Sequence, residues 1–295
     1  MAQQHNPLTS FYRAPKLYAK LPSLGQYYSA EVVEMPENGE LPIFAMTAKD
    51  ELLMKNPDAL LNGEAVVQVI KSCVPNVKDA SKMLSADIDT LLVAIQGATF
   101  GDDLEVTGTC DKCSSEARGI ASVERALETM QVLEEEYEVA HSGLVILVKP
   151  FSYSSTIKAG ITNFQSTRSL QNLGEIEDDD ARLKLFNENF VKVAELNFDL
   201  ILDSINNISG TNEDGEFVVD DKIQIAEFLN NVDSSVGKAI EEKITEINTI
   251  GIAQEMALQC PNPECTENIG IENAEDYYSF TTKVNFDPVN FFTAS

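Results

Sequence analysis

The chain has 295 residues, 43% hydrophobic and 7% aromatic, which is apolar material enough for one large core or two ordinary ones and excludes a disordered protein. Its 48 Asp and Glu against 21 Lys and Arg leave a formal charge of -27, a field that repels nucleic-acid phosphates and anionic membranes, so the expected partners are proteins or cations. No apolar run approaches the roughly 18 residues that cross a bilayer, and the start MAQQHNPLTSFYRAPK lacks the basic-then-apolar order of a secretory signal, so a cytoplasmic product is expected.

Residues 1–30 interleave Pro7, Pro15 and Pro22 with Phe11, Tyr12, Leu17, Tyr18, Leu21, Tyr27 and Tyr28. This composition favours an extended arm that lies across another surface or wraps its own domain. In AEVVEMPENGELPIFAMT two β-rich runs flank Asn38-Gly39, a pair suited to a tight hairpin turn. Thr47 and Asp50 give a capping pattern before ELLMKN, and Asn56-Pro57 stops that helix. Val66, Val69, Ile70 and Cys73 then share one helical face ending at Pro75, which gives Cys73 a structural role as a buried thiol. Ile88, Leu91, Leu92 and Ile95 repeat the spacing up to Gly97 or Gly101, completing a small helical layer.

From Leu104 to Val123 the pattern turns β-like, followed by a helical turn in ERALETMQ and by two strands joined at Ser142-Gly143. Residues 153–250 read as mostly helical. One long helix from Ala181 to Asn206 carries Leu183, Phe186, Phe190, Val193, Leu200 and Ile201, and a second stripe runs through Val236, Ile240, Ile244 and Ile247. Between them Asp214-Gly215 supplies a turn and EFVV a short strand. β character returns in GIAQEMALQC and in an aromatic end containing Tyr277, Tyr278, Phe280, Val284, Phe286, Phe291 and Phe292. The predicted class is α+β. Its parts are an N-terminal arm (1–30) and a discontinuous body (31–152 and 251–295), with a helical insertion (153–250) between two cysteine knuckles.

Those knuckles are Cys110-x2-Cys113 and Cys260-x4-Cys265, each in a strand-to-strand turn. Two such pairs supply the four thiolates that close a structural zinc site, with no position left for substrate or activated water. A disulfide within either pair, or inert thiols that have lost a metal, are the other readings. Other chemistry is sparse. His5 and His141 stand in no nucleophile pattern, and phosphate-cradling glycine runs, G-x-S-x-G and H-E-x-x-H are missing. EIEDDDARLK lacks the glycine and alternating oxygens of an EF-hand and reads as a solvated helix start. No enzyme is expected.

The motifs MTAKDE, NPDALLNGEAV, SCVPNVKD and DIDTLLVAI, followed by the first knuckle, lie within residues 41–113, and PKLYAKLPSLGQYY precedes them. This region resembles the baseplate hub and hub-assembly proteins of T-even-type contractile-tailed phages. The resemblance implies a non-enzymatic role in building the tail, as a retained baseplate component or as a factor that assists assembly around the tail tube and tape measure. It implies a multi-copy hetero-assembly with other baseplate, hub, tube or tape-measure proteins, and no nucleic acid or membrane partner. The helical region 153–250 is longer than the compact family members suggest, which favours a subunit that stays in the particle. A zinc-ribbon regulatory module is the competing class, and the charge of -27 argues against its nucleic-acid face.

Overall fold

The computed structural model describes residues 7–171, 178–213, 215–253, 255–265 and 278–283. His5, Asp214, Tyr277 and the terminal Val284, Phe286, Phe291 and Phe292 lie outside them, as do residues 175–177 of the acidic run.

The helical layer forms as its capping and periodicity predict. Helix α1 (Ala48–Met54) starts on a complete capping box between Thr47 and Asp50, and α2 (Pro57–Leu61) places Pro57 where no amide is needed, with Asn56 as its cap. In α3 (Glu64–Cys73) the face Val66, Val69, Ile70 and Cys73 is fully buried. Helix α4 (Ser85–Phe100) is apolar on nearly every side, burying Ile88, Leu91, Leu92, Val93, Ala94 and Ile95, and a helix of that kind belongs at the centre of a core.

The arm wraps its own body. Strand β1 (Pro15–Ala19) pairs antiparallel with β2 (Leu41–Phe44), and Ala19 and Leu21 join the core around α4. Arg13 ties the arm down through bonds to the Ala45 carbonyl (2.5 Å) and the Ser72 carbonyl (2.6 Å). Further along, the buried Asp87 in the first turn of α4 accepts the Ser23 N–H at 3.0 Å and the Tyr28 hydroxyl. The pairing corrects the hairpin expected at Asn38-Gly39. The turn exists, with Gly39 at φ +73°, yet Val33 makes only a single bridge, to Val77, and β2 takes the arm as its partner. Pro36 and Pro42 remove donors on both sides of the expected ladder, which leaves the arm the better-matched strand.

After strands β3 (Asp103–Thr109) and β4 (Glu116–Ser122) and the short helix α5 (Val123–Glu128), the chain builds a second core. Strands β5 (Tyr137–His141), β6 (Leu144–Val148), β7 (Ile205–Asn212) and β8 (Gly215–Val219) form one antiparallel sheet in that order. Ser142 and Gly143, both at positive φ, make the first turn a twist-compatible one. Pairing thus runs across the boundary expected at 152/153, and Ile205–Asn212 and Gly215–Val219 are strands where the sequence reads helix end and a short excursion. Helices α8 (Lys222–Asn231) and α9 (Ser234–Ile247) cover the sheet, with Val236, Ile240, Ile244 and Ile247 buried as the stripe predicts. Tyr27 and Tyr28 of the arm pack against this core too, so the arm touches both.

Helices α6 (Tyr153–Gln171) and α7 (Asp179–Ser204) pack along each other. The expected apolar stripe of α7 meets a correction here: Leu183, Phe186 and Phe190 are exposed, Phe190 by 69%, while Asn189 and Leu196 are buried. The reason is geometric. Among the described residues this part of α7 packs along α6 and its Leu183, Phe186 and Phe190 belong to neither core, so they stay uncovered.

Candidate metal centre

Strands β3 and β4 form a hairpin whose turn carries Cys110 and Cys113. A second hairpin, β9 (Glu255–Gln259) with β10 (Ser279–Lys283), places Cys260 and Cys265 directly after β9. The hairpins pack on each other because two glycines allow it. A Cβ added at Gly119 would stand 2.5 Å from Leu258 Cδ2, and one at Gly108 would stand 2.6 Å from Thr282 Oγ1. Neither position has room for a side chain.

The knuckle turns have specific local chemistry. In the first, the Ser114 N–H donates to the Cys110 carbonyl and the Cys110 N–H to the Ser115 carbonyl, both at 2.9 Å, with Ser114 in the left-handed region at φ +58°. In the second, the Asn262 carbonyl accepts from Cys265 N–H at 3.0 Å and its side chain from Glu264 N–H at 3.0 Å, an Asx-type turn. Tyr278 joins the two. Its backbone exchanges bonds with Cys260 and Cys265, its hydroxyl donates to Asp111 at 3.1 Å, and the Lys112 ammonium lies 3.6 Å from its ring centroid. Sequence reading placed Tyr278 only in the aromatic run; its position beside a knuckle was the available signal.

The four predicted sulfurs come together. Cys110, Cys113, Cys260 and Cys265 have all their Sγ atoms within 4.8 Å of one another, although Cys113 and Cys260 lie 147 positions apart. Across the knuckles Cys110 lies 3.8 Å from Cys265 and Cys113 lies 3.4 Å from Cys260, and all five cysteines are free thiols. A tetrahedral zinc with bonds of about 2.3 Å needs sulfurs about 3.8 Å apart, so the set fits a tetrahedral thiolate-loving cation with little adjustment. The fifth cysteine, Cys73, is elsewhere, buried in the first core, and burial pushes its thiol up to about 11.

Electrostatics within the cluster are uneven. Hydrogen bonding with Ser115 holds the Cys113 thiol down at about 6, while burial first and the neighbouring sulfurs second push Cys265 up to about 12. Burial also raises Cys260. Cys113 is thus held toward the thiolate, whereas Cys260 and Cys265 are held toward the thiol and must release protons to a cation, which makes metal uptake proton-releasing. His141 is far from this chemistry and accepts or donates one bond with Ser235 at 3.3 Å.

A family model described as T4 bacteriophage base plate protein matches residues 27–278, a span that contains the helical layer, the second core and all four cysteines of the cluster. The chain belongs to the T4 bacteriophage base plate protein family. The match extends the resemblance seen at residues 41–113 to residues 27–278 and implies a place in the phage tail among other baseplate proteins. Comparison with curated proteins and with solved structures gave no match. Among the described residues of this base plate protein, no helix is long and apolar enough to cross a membrane.

Proposed function

We propose that this base plate protein is a non-enzymatic structural subunit of the hub or wedge region of a contractile tail, retained in the particle and joined to neighbours by protein–protein contact. Cys110, Cys113, Cys260 and Cys265 hold one zinc ion as a rigid cross-link between two hairpins. The observation that carries this reading is the family match running unbroken through both knuckles and both cores. Three features support it. Four protein sulfurs saturate a tetrahedral ion, so the metal offers no open coordination position for catalysis. Large apolar side chains stand exposed on α7 and at Leu8, Phe11 and Tyr12, the kind of surface that a neighbour covers. The acidic charge keeps the unassembled subunit apart from its copies.

Mass spectrometry of purified tails tests the reading. Peptides from this chain are expected in fixed proportion to other baseplate subunits, with zinc present by elemental analysis of the purified protein. A chain required for tail formation yet missing from finished particles would instead be an assembly factor.

A further inference from the structure

A groove of about 590 Å³ lies between β1 and α5, and its lining has an unusual feature: Leu17, Tyr18, Ala19 and Lys20 all contribute. Side chains of a strand alternate between faces, so four consecutive residues can border one groove only along the strand's edge. Among the described residues β1 is hydrogen-bonded to β2 alone, which leaves that edge unpaired.

The register says which backbone groups face outward. Tyr18 is opposite Pro42, which has no N–H to give, so this is the non-hydrogen-bonded pair of the ladder, flanked by the Leu17–Ile43 and Ala19–Leu41 pairs. In such a pair both residues turn their backbone groups away from each other. The Tyr18 amide and carbonyl therefore point away from β2. Just beyond the strand, the Leu133 N–H bonds the Pro22 carbonyl at 2.8 Å, so the same stretch of chain already takes an extended neighbour one step further along.

Charge then selects the occupant. Glu40, Asp102, Glu124 and Glu128 border the groove, and the only cation among the lining residues, Lys20, lies 3.9 Å from Glu40. Glu124 and Glu128 stand one helical turn apart on α5, and Leu127, Met130 and the half-exposed Val132 supply apolar surface to the same groove. We propose that this open edge of β1 is a docking site for an extended segment of a partner protein in which basic and apolar residues alternate, added to the β1–β2 pair as a third strand. Backbone bonds would give such a segment its hold, and the carboxylates its selectivity. A second copy of the chain, itself at -27, is disfavoured by the same field. The proposal stands whether the subunit stays in the tail or only assists its assembly, because it concerns the free chain.

The test is a fluorescence-anisotropy titration of the full chain with a labelled nine-residue peptide alternating valine and lysine. Saturable, salt-sensitive binding is expected. A valine–glutamate peptide, and a valine–lysine peptide with two central valines replaced by proline, should each bind at least about tenfold more weakly, the first through charge and the second through lost donors. The E124K/E128K variant should weaken the lysine peptide by about tenfold while keeping the wild-type circular dichroism, and both residues are exposed enough to change without unfolding the chain. Tyr18→Pro should act similarly by removing the outward N–H. Equal binding of the proline-containing peptide, or unchanged binding to E124K/E128K, would overturn the proposal. So would binding seen only after removal of residues 284–295, which would give the groove to the chain's own end, or a dimer abolished by E124K/E128K, which would give it to a second copy.

Discussion

The helical layer and the cysteine ribbon share strand β3, whose Leu104 and Val106 belong to the first core and whose end leads to Cys110, yet different forces hold the two regions. Around α4 a continuous set of fully buried aliphatic side chains encloses the helix, and burial of each contributes about 1.5–3 kcal/mol. Among its described residues the ribbon buries Cys110, Ala117, Leu258, Cys260, Cys265 and Phe280, of which half are cysteines and two, Leu258 and Phe280, are large hydrocarbon side chains. A core of that size cannot order two hairpins and their knuckles by itself. The contrast is between a region held by packing and one whose four clustered thiols fit a cross-linking ion.

The largest effect is expected from metal removal. Chelation, or Cys260→Ser, should abolish one bound metal per chain and strip amide protection from β3, β4 and β9 while α3 and α4 keep theirs. Structural zinc contributes on the order of 10 kcal/mol to small domains, and hydrogen exchange with mass spectrometry resolves the two regions. Unchanged protection in the ribbon would mean that packing holds it after all.

The converse experiment strikes the other region. Ile95→Ala, at a site of 0% exposure, should cost about 2–5 kcal/mol in urea denaturation and leave the metal content of the folded fraction unchanged.

A pH experiment sharpens the contrast within the helical layer. Burial pushes the Asp87 carboxyl up to about 6 from an ordinary 3.8, against the hydrogen bonds from Ser23 and Tyr28 that pull it down. The fold therefore prefers the protonated acid. Its contribution is complete below about pH 4 and is lost as pH rises through 6, at about 3 kcal/mol across that window. Asp87→Asn should remove that share of the pH dependence. Half-buried Asp89, raised to about 7 by burial, acts in the same direction and should keep the residual slope. Urea midpoints at pH 4.5 and 7 for both proteins measure the difference.

The smallest effect is expected at Tyr278. Tyr278→Phe loses the 3.1 Å bond to Asp111 at an exposed position but keeps the ring beneath Lys112, so ribbon stability should fall by about 0.5–1 kcal/mol, read as faster metal loss to a competing chelator.

The sequence by itself determined what depends on neighbours a few residues away. The Thr47–Asp50 capping box, the buried faces of α3, α4 and α9, the Ser142-Gly143 turn and the two thiol pairs all follow from spacing, because capping and helical periodicity act over one or two turns. The tertiary structure alone decided the long-range matches: that β2 pairs with the arm and not with residues 31–35, that β5 and β6 join β7 and β8 in one sheet, and that α7 leaves Phe186 and Phe190 uncovered. It also decided that the knuckles meet within 4.8 Å and that Tyr278 bridges them. Strand pairing and burial depend on which surfaces the whole chain brings together, and local pattern cannot rank partners separated by so much sequence.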